Sequence, residues 1–537
     1  MTSRAILIDF EETLELIPTS SADPDSFDTA RNDANDGNDT PLLTNEFVFA
    51  NQKSKRSSLP QIVPRQLRHW FLLHRHHHPS LKSRSCSSCR RPLLRRFIAF
   101  SYGFLALILV LIVVGGTFFP SYSHPPEHYS ELRYRVAGSK TPGIGNIGNS
   151  KVFIAASLYD PGGKLAGGPW ADNLLRLIDL LGPRNTYLSI YENDSGPEGK
   201  DALNSLRQHL PCENTLLFQD HLSFEGLPHV TIPDGTERVK RITYLSAVRN
   251  KALEPLQTAK VMYDKVLYLN DVFFDPIDVL QLLFSTNNDD YRAACAVDFI
   301  SPFKFYDTFA TRDLGGFSLG LPFFPWFAYG GDSRSHQDVV HGSDAVRVRS
   351  CWGGIVAFDA RFFQPQPDSS MVPETAGSLG PSNLSAPYQF RAEQDLYWDA
   401  SECCLIQADI QSPDNDNPGI YMNPFVRVAY DPRTLSWLGF VRRFETLYTP
   451  VHFLLDIVVG FPQHNARRDE HPWDEVQEMV WVANSSQTEG GSFQSVSRLA
   501  SHSGFCGRRA LPVMKEHFSN GEVGLKNYEG LPIPSIP

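Results

Sequence analysis

Between Asn51 and Arg96 the chain has no aspartate or glutamate, although it carries twelve lysines and arginines there. Between Phe97 and Phe119 it has no charge of either sign. From Lys151 onward neither GxGxxG nor GxxxxGK[ST] occurs. That absence argues against the usual dinucleotide oxidoreductase and P-loop NTPase, whose glycine turns cradle phosphate. No internal repeat is evident. The net charge of −11 describes no single region, because residues 1–50 hold eleven acidic side chains against Arg4 and Arg31. That acidic, Ser/Asn/Asp/Thr-rich start has too little apolar surface to offset its ordering entropy and reads as disordered.

The uncharged stretch FIAFSYGFLALILVLIVVGGTFF is long enough to cross a hydrocarbon core of roughly 30 Å as a helix. Arg90, Arg91, Arg95 and Arg96 crowd its N-terminal side, so the positive-inside rule keeps the N-terminus cytosolic. The basic segment before it therefore reads as juxtamembrane, His74–His78 included, and not as a nucleic-acid site. The late start and the length of the run speak against a cleaved signal peptide. The expected topology is a single-pass type II protein: tail 1–96, signal-anchor 97–119, stem 120–150 and a luminal domain 151–537. A luminal domain permits disulfides among Cys212, Cys295, Cys351, Cys403, Cys404 and Cys506, with pairing open. Cys86 and Cys89 lie on the cytosolic side, where palmitoylation fits better than zinc. Sequons at Asn193, Asn383 and Asn484 require surface exposure if used.

After the Pro/Gly/Ser-rich stem the chain alternates between two periodicities. KVFIAASLYD, NTYLSIYE, NTLLFQD, KVLYLND and RAACAVDF read as strands. WADNLLRLIDLLG, DALNSLRQHL, a stretch from Arg238 to Tyr263 broken near Pro255, and PIDVLQLLF read as helices. Such alternation predicts an α/β domain with a mostly parallel sheet, and ligands beyond the carboxyl ends of its strands. Beyond residue 300 the pattern fades into Gly-, Pro- and aromatic-rich segments, which read as long loops that shape a substrate site.

Asp271 closes the apolar strand VLYLN at such a carboxyl end. A carboxylate there suits transfer of a sugar from a nucleoside diphosphate, whose clustered charges need a divalent cation held by hard oxygen ligands. Many enzymes of this kind use Asp-x-Asp; here the motif is Asn270-Asp271-Val272, with one carboxylate.

LYLNDVFFDP, FYDTFATRDLGG, SCWGGIVAFDA, SECCL and NPFVRVAYD occur in that order, and together they resemble the fungal family of the cryptococcal capsule-associated α-1,3-mannosyltransferase. The similarity spans about Lys151 to Lys515. It implies a type II Golgi glycoprotein with a GT-A-like, Rossmann-type fold that transfers mannose from GDP-mannose with a divalent metal, commonly Mn2+, in cell-wall or extracellular polysaccharide synthesis.

Carried over by position, Asp271 is the metal–diphosphate ligand and Asn270 its neighbour. Asp307, Arg312 and Asp313 are donor-site candidates, Trp352 can floor a sugar, and Arg427 can bind pyrophosphate, as can Arg241 or Arg249. Gly353 departs from a family Trp-Asn-Gly. Glu393, Asp395 and Glu402 are the candidate carboxylates for the reacting centre, with Asp399 in the same run. His464 and His517 are candidates to complete a metal shell. An α-mannoside made from GDP-mannose requires retention. The partners implied are a sugar-nucleotide donor, a mannose-containing acceptor, the membrane and other Golgi transferases, with no nucleic acid. The alternatives are a non-catalytic glycan-binding or assembly/export factor of the same fold, which the single carboxylate keeps open, and a transferase that uses another sugar nucleotide.

Overall fold

Val152–Leu158 (β1), Thr186–Asn193 (β2) and Lys265–Leu269 (β4) are almost wholly buried on both faces, as strands covered by helices on either side must be. Glu213–Gln219 (β3), Ala293–Ser301 (β5), Ile355–Asp359 (β6) and Ile420–Ala429 (β7) continue the nine-stranded main sheet in the order β3-β2-β1-β4-β6-β5-β7, and the two-residue strands Val346–Arg347 and Lys304–Phe305 pair antiparallel with β7 and β5. All pairings in this series are parallel except those of β6, which runs antiparallel to both β4 and β5. The structure is a computed structural model that describes residues 90–319, 327, 330–365, 386–412, 416–460, 465–483, 490–515 and 527–535. The described residues divide into two units, one up to Gly115 and one from Gly116 onward. The sheet belongs to the second.

The uncharged stretch is helical as expected: α1 (Arg90–Phe118) contains Arg96–Phe118, long and apolar enough to span a membrane. Part of the expected stem is also helical. In α2 (Glu127–Ala137), Tyr129, Leu132 and Val136 are buried at spacings of three and four. The tertiary contacts supply what that segment's composition hides.

Helices cover both sheet faces. Leu174, Leu177, Ile178 and Leu181 of α3 (Pro169–Leu181) and Val279, Leu280 and Leu283 of α6 (Pro276–Phe284) pack with Ile154, Leu267 and Leu269. On the other face, Val248, Ala252 and Leu256 of α5 (Arg241–Gln257) meet Phe153, Val266 and Tyr268. The alternation of Val266, Leu267, Tyr268 and Leu269 between the two cores is the period-2 rule at work. The domain also contains the helices α4 (Gly196–His209), α7 (Ser333–Val340) and α8 (Glu402–Ile410).

The region beyond residue 300 is not only loop. It supplies β6 and β7, two inner strands of the sheet, and a separate hairpin of β8 (Glu475–Ala483) and β9 (Gly491–Leu499). β6 is five residues long and follows two glycines, so its pattern is too short to read.

Two disulfides tie this region down. Cys295–Cys351 fastens β5 to the turn before β6, and Cys404–Cys506 fastens α8 to the C-terminal segment. Cys212 and Cys403 are buried free thiols. Cys404–Cys506 closes a separation of 102 residues, for which chain entropy gives roughly 4–5 kcal/mol of stabilisation. Replacing both cysteines by alanine is expected to lower the thermal midpoint by several degrees, read by differential scanning fluorimetry. An unchanged midpoint would refute the bridge.

The sequon at Asn193 fails its requirement. Asn193 is buried, and its amide nitrogen donates to Tyr244 Oη at 2.7 Å. Asn383, Asn484, Cys86, Cys89, His74–His78, His464 and His517 lie outside the described residues.

Candidate active site

The parallel strands all end at one edge of the sheet, which collects the acidic residues Asp160 after β1, Glu192 in β2, Asp271 after β4 and Asp298 in β5. The antiparallel β6 begins at this same edge, so Trp352, Gly353 and Gly354 arrive beside Asp271. Asn270 N donates to Gly354 O at 2.9 Å, and Trp170 Nε1 donates to Asn270 O at 3.1 Å. Gly353 has φ +55°, and a Cβ there would collide with Ala296 O. A side chain at this position would force the backbone apart, so the turn requires glycine.

Asp271 is half-buried, and among the described residues no other side chain hydrogen-bonds its carboxylate. Burial pushes it up to about 6; Asp160 adds to the rise and the Arg249 guanidinium opposes it. Arg249, from α5, is the hub of the cluster. Its Nε donates to Glu402 Oε1 at 2.9 Å, its Nη1 reaches Asn270 Oδ1 at 3.3 Å, and its guanidinium lies 4.4 Å from the Trp352 ring centroid. Glu402 and Arg249 form a buried ion pair. The structure thus brings Asn270, Asp271, Trp352 and Glu402 together, and Arg249 joins them.

Trp352 is 4% exposed, with Arg249, Tyr268 and Phe390 around the indole. Its ring is no open floor for a sugar; the group left over is Nε1, buried and without a hydrogen-bond partner among the described residues. Asp307 accepts from the amides of Trp352 (3.0 Å), Gly353 (3.3 Å) and Ala310 (3.0 Å), so it holds the Trp352 turn in place. Asp298 sits beside it, and burial raises both carboxyls, Asp298 well above the ordinary range.

The remaining candidates lie in other contacts. Arg312 donates to the carbonyls of Phe505 (3.1 Å) and Thr311 (2.8 Å), and Asp313 accepts from the amides of Phe317 and Asp332. Arg427 forms a buried two-pronged pair with Glu445, so a pyrophosphate would have to displace that carboxylate. Glu393 pairs with Arg391 at 3.1 Å and Asp395 with Arg467 at 2.5 Å. Their backbone carbonyls, with that of Trp398, hold the buried Lys240 ammonium.

Asp160 and Glu192 were missed in the sequence, although each ends a strand as Asp271 does. Asp160 accepts from the amides of Leu165 and Ala166 and so shapes the loop after β1. Among the described residues neither carboxylate oxygen of Glu192 has a hydrogen-bond partner, and both are buried; the Ser195 hydroxyl is directed to Asn193 O at 3.4 Å. Burial pushes Glu192 up to about 7 from an ordinary 4.5, with Asp160 adding to the rise. The folded state therefore holds a proton that the unfolded chain releases between those values. The associated stability is fully present below pH 4.5 and is lost as pH rises through about 7. Glu192→Gln is expected to flatten the fall in thermal midpoint between pH 5 and 8 relative to the wild type; equal slopes would refute the assignment.

The strand order is that of a mixed α/β domain with a mostly parallel, GT-A-like central sheet, with carboxylates at its strand ends. Residues 151–409 match the family model described as Cryptococcal mannosyltransferase 1, and over this span the resemblance read from the motifs is borne out. That match supports a glycosyltransferase of the hexosyl class. No curated protein matches the chain significantly. Among solved structures, the mannosyltransferase PcManGT from Pyrobaculum calidifontis, in complex with GDP-Man and Mn2+, is 9% identical over 62% of this chain and 80% of its own, with a TM-score of 0.30. Glucosyl-3-phosphoglycerate synthase from Mycobacterium tuberculosis, in complex with Mg2+ and UDP, is 10% identical over 70% and 96%, with a TM-score of 0.27. Mannosyl-3-phosphoglycerate synthase from Rubrobacter xylanophilus is 12% identical over 71% and 94%, at 0.26. Likenesses this low carry no argument about activity.

Proposed function

We propose that the protein is a single-pass, membrane-anchored α-mannosyltransferase of the Golgi, which moves mannose from GDP-mannose to a mannose-containing glycan with retention, in an α-1,3 linkage. The observation that supports this most is Asp271 at the carboxyl end of a central strand, inside the segment that matches the mannosyltransferase family.

The residues present fit a hard divalent cation such as Mn2+. Among the described residues no group of three or more His, Cys, Asp or Glu forms a closed cage. Magnesium-like ions at phosphate sites take one or two carboxylates and complete their shell with phosphate oxygens and water. Asp271 would be that carboxylate. When bound, the cation offsets the charge that develops on the departing diphosphate.

The chain's own residues orient the donor. Arg249 fixes the Asn270 side chain and the Trp352 ring, and Asp307 fixes the turn that carries Trp352. Trp352 Nε1 is a buried donor available to a ligand oxygen. Of the three acidic candidates, Glu402 is the one within this cluster, and it takes the role of the carboxylate at the reacting centre; Glu393 and Asp395 support the Lys240 junction. Arg312, Asp313 and Arg427 brace the surrounding loops.

The test is transfer from radiolabelled GDP-mannose to short mannose oligosaccharides by the full-length protein in detergent. Product that is lost on chelation and restored by manganese supports the reading. Failure to bind GDP-mannose with metal present, alongside binding of another sugar nucleotide, would overturn the donor. Glycan binding without transfer from any donor would favour the non-catalytic alternative.

A further inference from the structure

The helix α9 (Pro432–Val441) follows β7, and α10 (Thr449–Val459) comes soon after. α10 is built inside out. His452 and Asp456, one turn apart, face inward and pair at 3.3 Å. The apolar residues face outward: Val451, Leu454, Ile457 and Val458 are 50, 62, 63 and 80% exposed. In water this arrangement leaves uncovered the surface whose burial drives folding. Trp437 and Phe440 of α9 are exposed too, and their rings with that of the half-buried Phe444 meet edge to face in sequence at 6.1 and 5.3 Å.

The charges on this segment are sorted. Between Pro432 and Val459 the two acidic residues, Glu445 and Asp456, are both buried, whereas Arg433 and Arg443 are exposed. Outward-facing Leu, Ile, Val, Trp and Phe with arginines at the rim is the composition of a helix that lies in a membrane interface. Cationic rims add attraction to anionic headgroups.

A bilayer that holds Arg96–Phe118 is tied to the body by a short stretch of chain. The apolar span ends at Phe118, and four residues later Tyr122 is buried, its hydroxyl donating to Val339 O in α7 at 3.2 Å. Four residues reach at most about 14 Å. Gly116 meets the Phe444 ring, in a place that a Cβ would occupy. The segment after the span is thus no long spacer, and Phe444 in turn packs on Phe440 of α9.

We propose that the face formed by Trp437, Phe440, Val451, Leu454, Ile457 and Val458 rests in the headgroup region of the membrane that holds the chain's own span, so that the glycosyltransferase body docks on the bilayer. This rests on reading Arg96–Phe118 as a membrane span, which the same experiment tests separately.

The full-length protein would be placed in nanodiscs containing a phospholipid with a photoactivatable diazirine in its acyl chain, and lipid adducts mapped by mass spectrometry. Adducts on the 97–118 span and on 451–458 are expected, the latter about tenfold above Leu217, an exposed apolar residue on β3 that serves as control. The variant Leu454→Glu/Ile457→Glu should lose the second set and keep the first. Adducts on the span with only control-level labelling of 437–458 would overturn the docking and leave the span intact. No adducts on either would overturn the span reading as well. Cross-links between α10 helices of two copies, in place of lipid adducts, would assign the face to self-association and overturn the proposal.

Discussion

Asp271→Asn is expected to reduce mannosyl transfer by roughly 10³-fold or more, with little change in thermal midpoint. The substitution keeps the shape of the side chain and removes its charge. A cation at a diphosphate needs that charge, and its loss costs several kcal/mol of transition-state stabilisation, at about 1.4 kcal/mol per factor of ten. The fold does not need it: among the described residues no other side chain hydrogen-bonds the Asp271 carboxylate, and burial already disfavours its ionised form, lifting it to about 6. The neutral variant therefore relieves a small cost in the ligand-free protein. Measuring kcat/KM across a manganese titration, with the midpoint in parallel, separates the two effects. Unchanged transfer would make Asp271 a turn residue. A collapsed midpoint would make it structural.

Arg249→Met carries the second large expected effect, this time on stability. The guanidinium is buried against Trp352 and paired with the buried Glu402. Removing one partner of such a pair strands the other charge in a poorly solvated place, which costs about 3–5 kcal/mol. Replacing both, as Arg249→Met/Glu402→Gln, leaves no stranded charge and is expected to recover most of that loss. The signature is the non-additivity of a double-mutant cycle in chemical denaturation. Additive losses would mean that the pair is not coupled. The double variant is also informative about chemistry: folded but inactive protein would place the pair in the function of the site and not only in its scaffold.

These two residues mark how far the sequence could be read. Asp271 was legible because it ends an apolar strand, and the chemistry of a strand-end carboxylate is local. Arg249 was one of several arginines that could meet pyrophosphate, and nothing in RVKRITYLSAVRN distinguishes it. Its role comes from α5 crossing the sheet where Trp352 and Glu402 arrive from segments about 100 and 150 residues further along. Glu393 and Asp395 looked equivalent to Glu402 in one short acidic run. Folding separates them, because Arg391 and Arg467 take two of the carboxylates and Arg249 takes the third.

The sequence alone determined the apolar span, the first five strands of the sheet with the helices between them, and the strand-end aspartate. All of these are written in periodicities of two or 3.6 residues, or in one long uncharged run, and each signal lies within about 25 residues. The tertiary structure decided the rest. It put the five-residue β6 antiparallel in the middle of a parallel sheet, paired Cys295 with Cys351 and Cys404 with Cys506, buried the Asn193 sequon, and turned the apolar side of α10 outward. Each of those depends on contacts between residues far apart in the chain, and no local pattern encodes which distant surface a segment will meet.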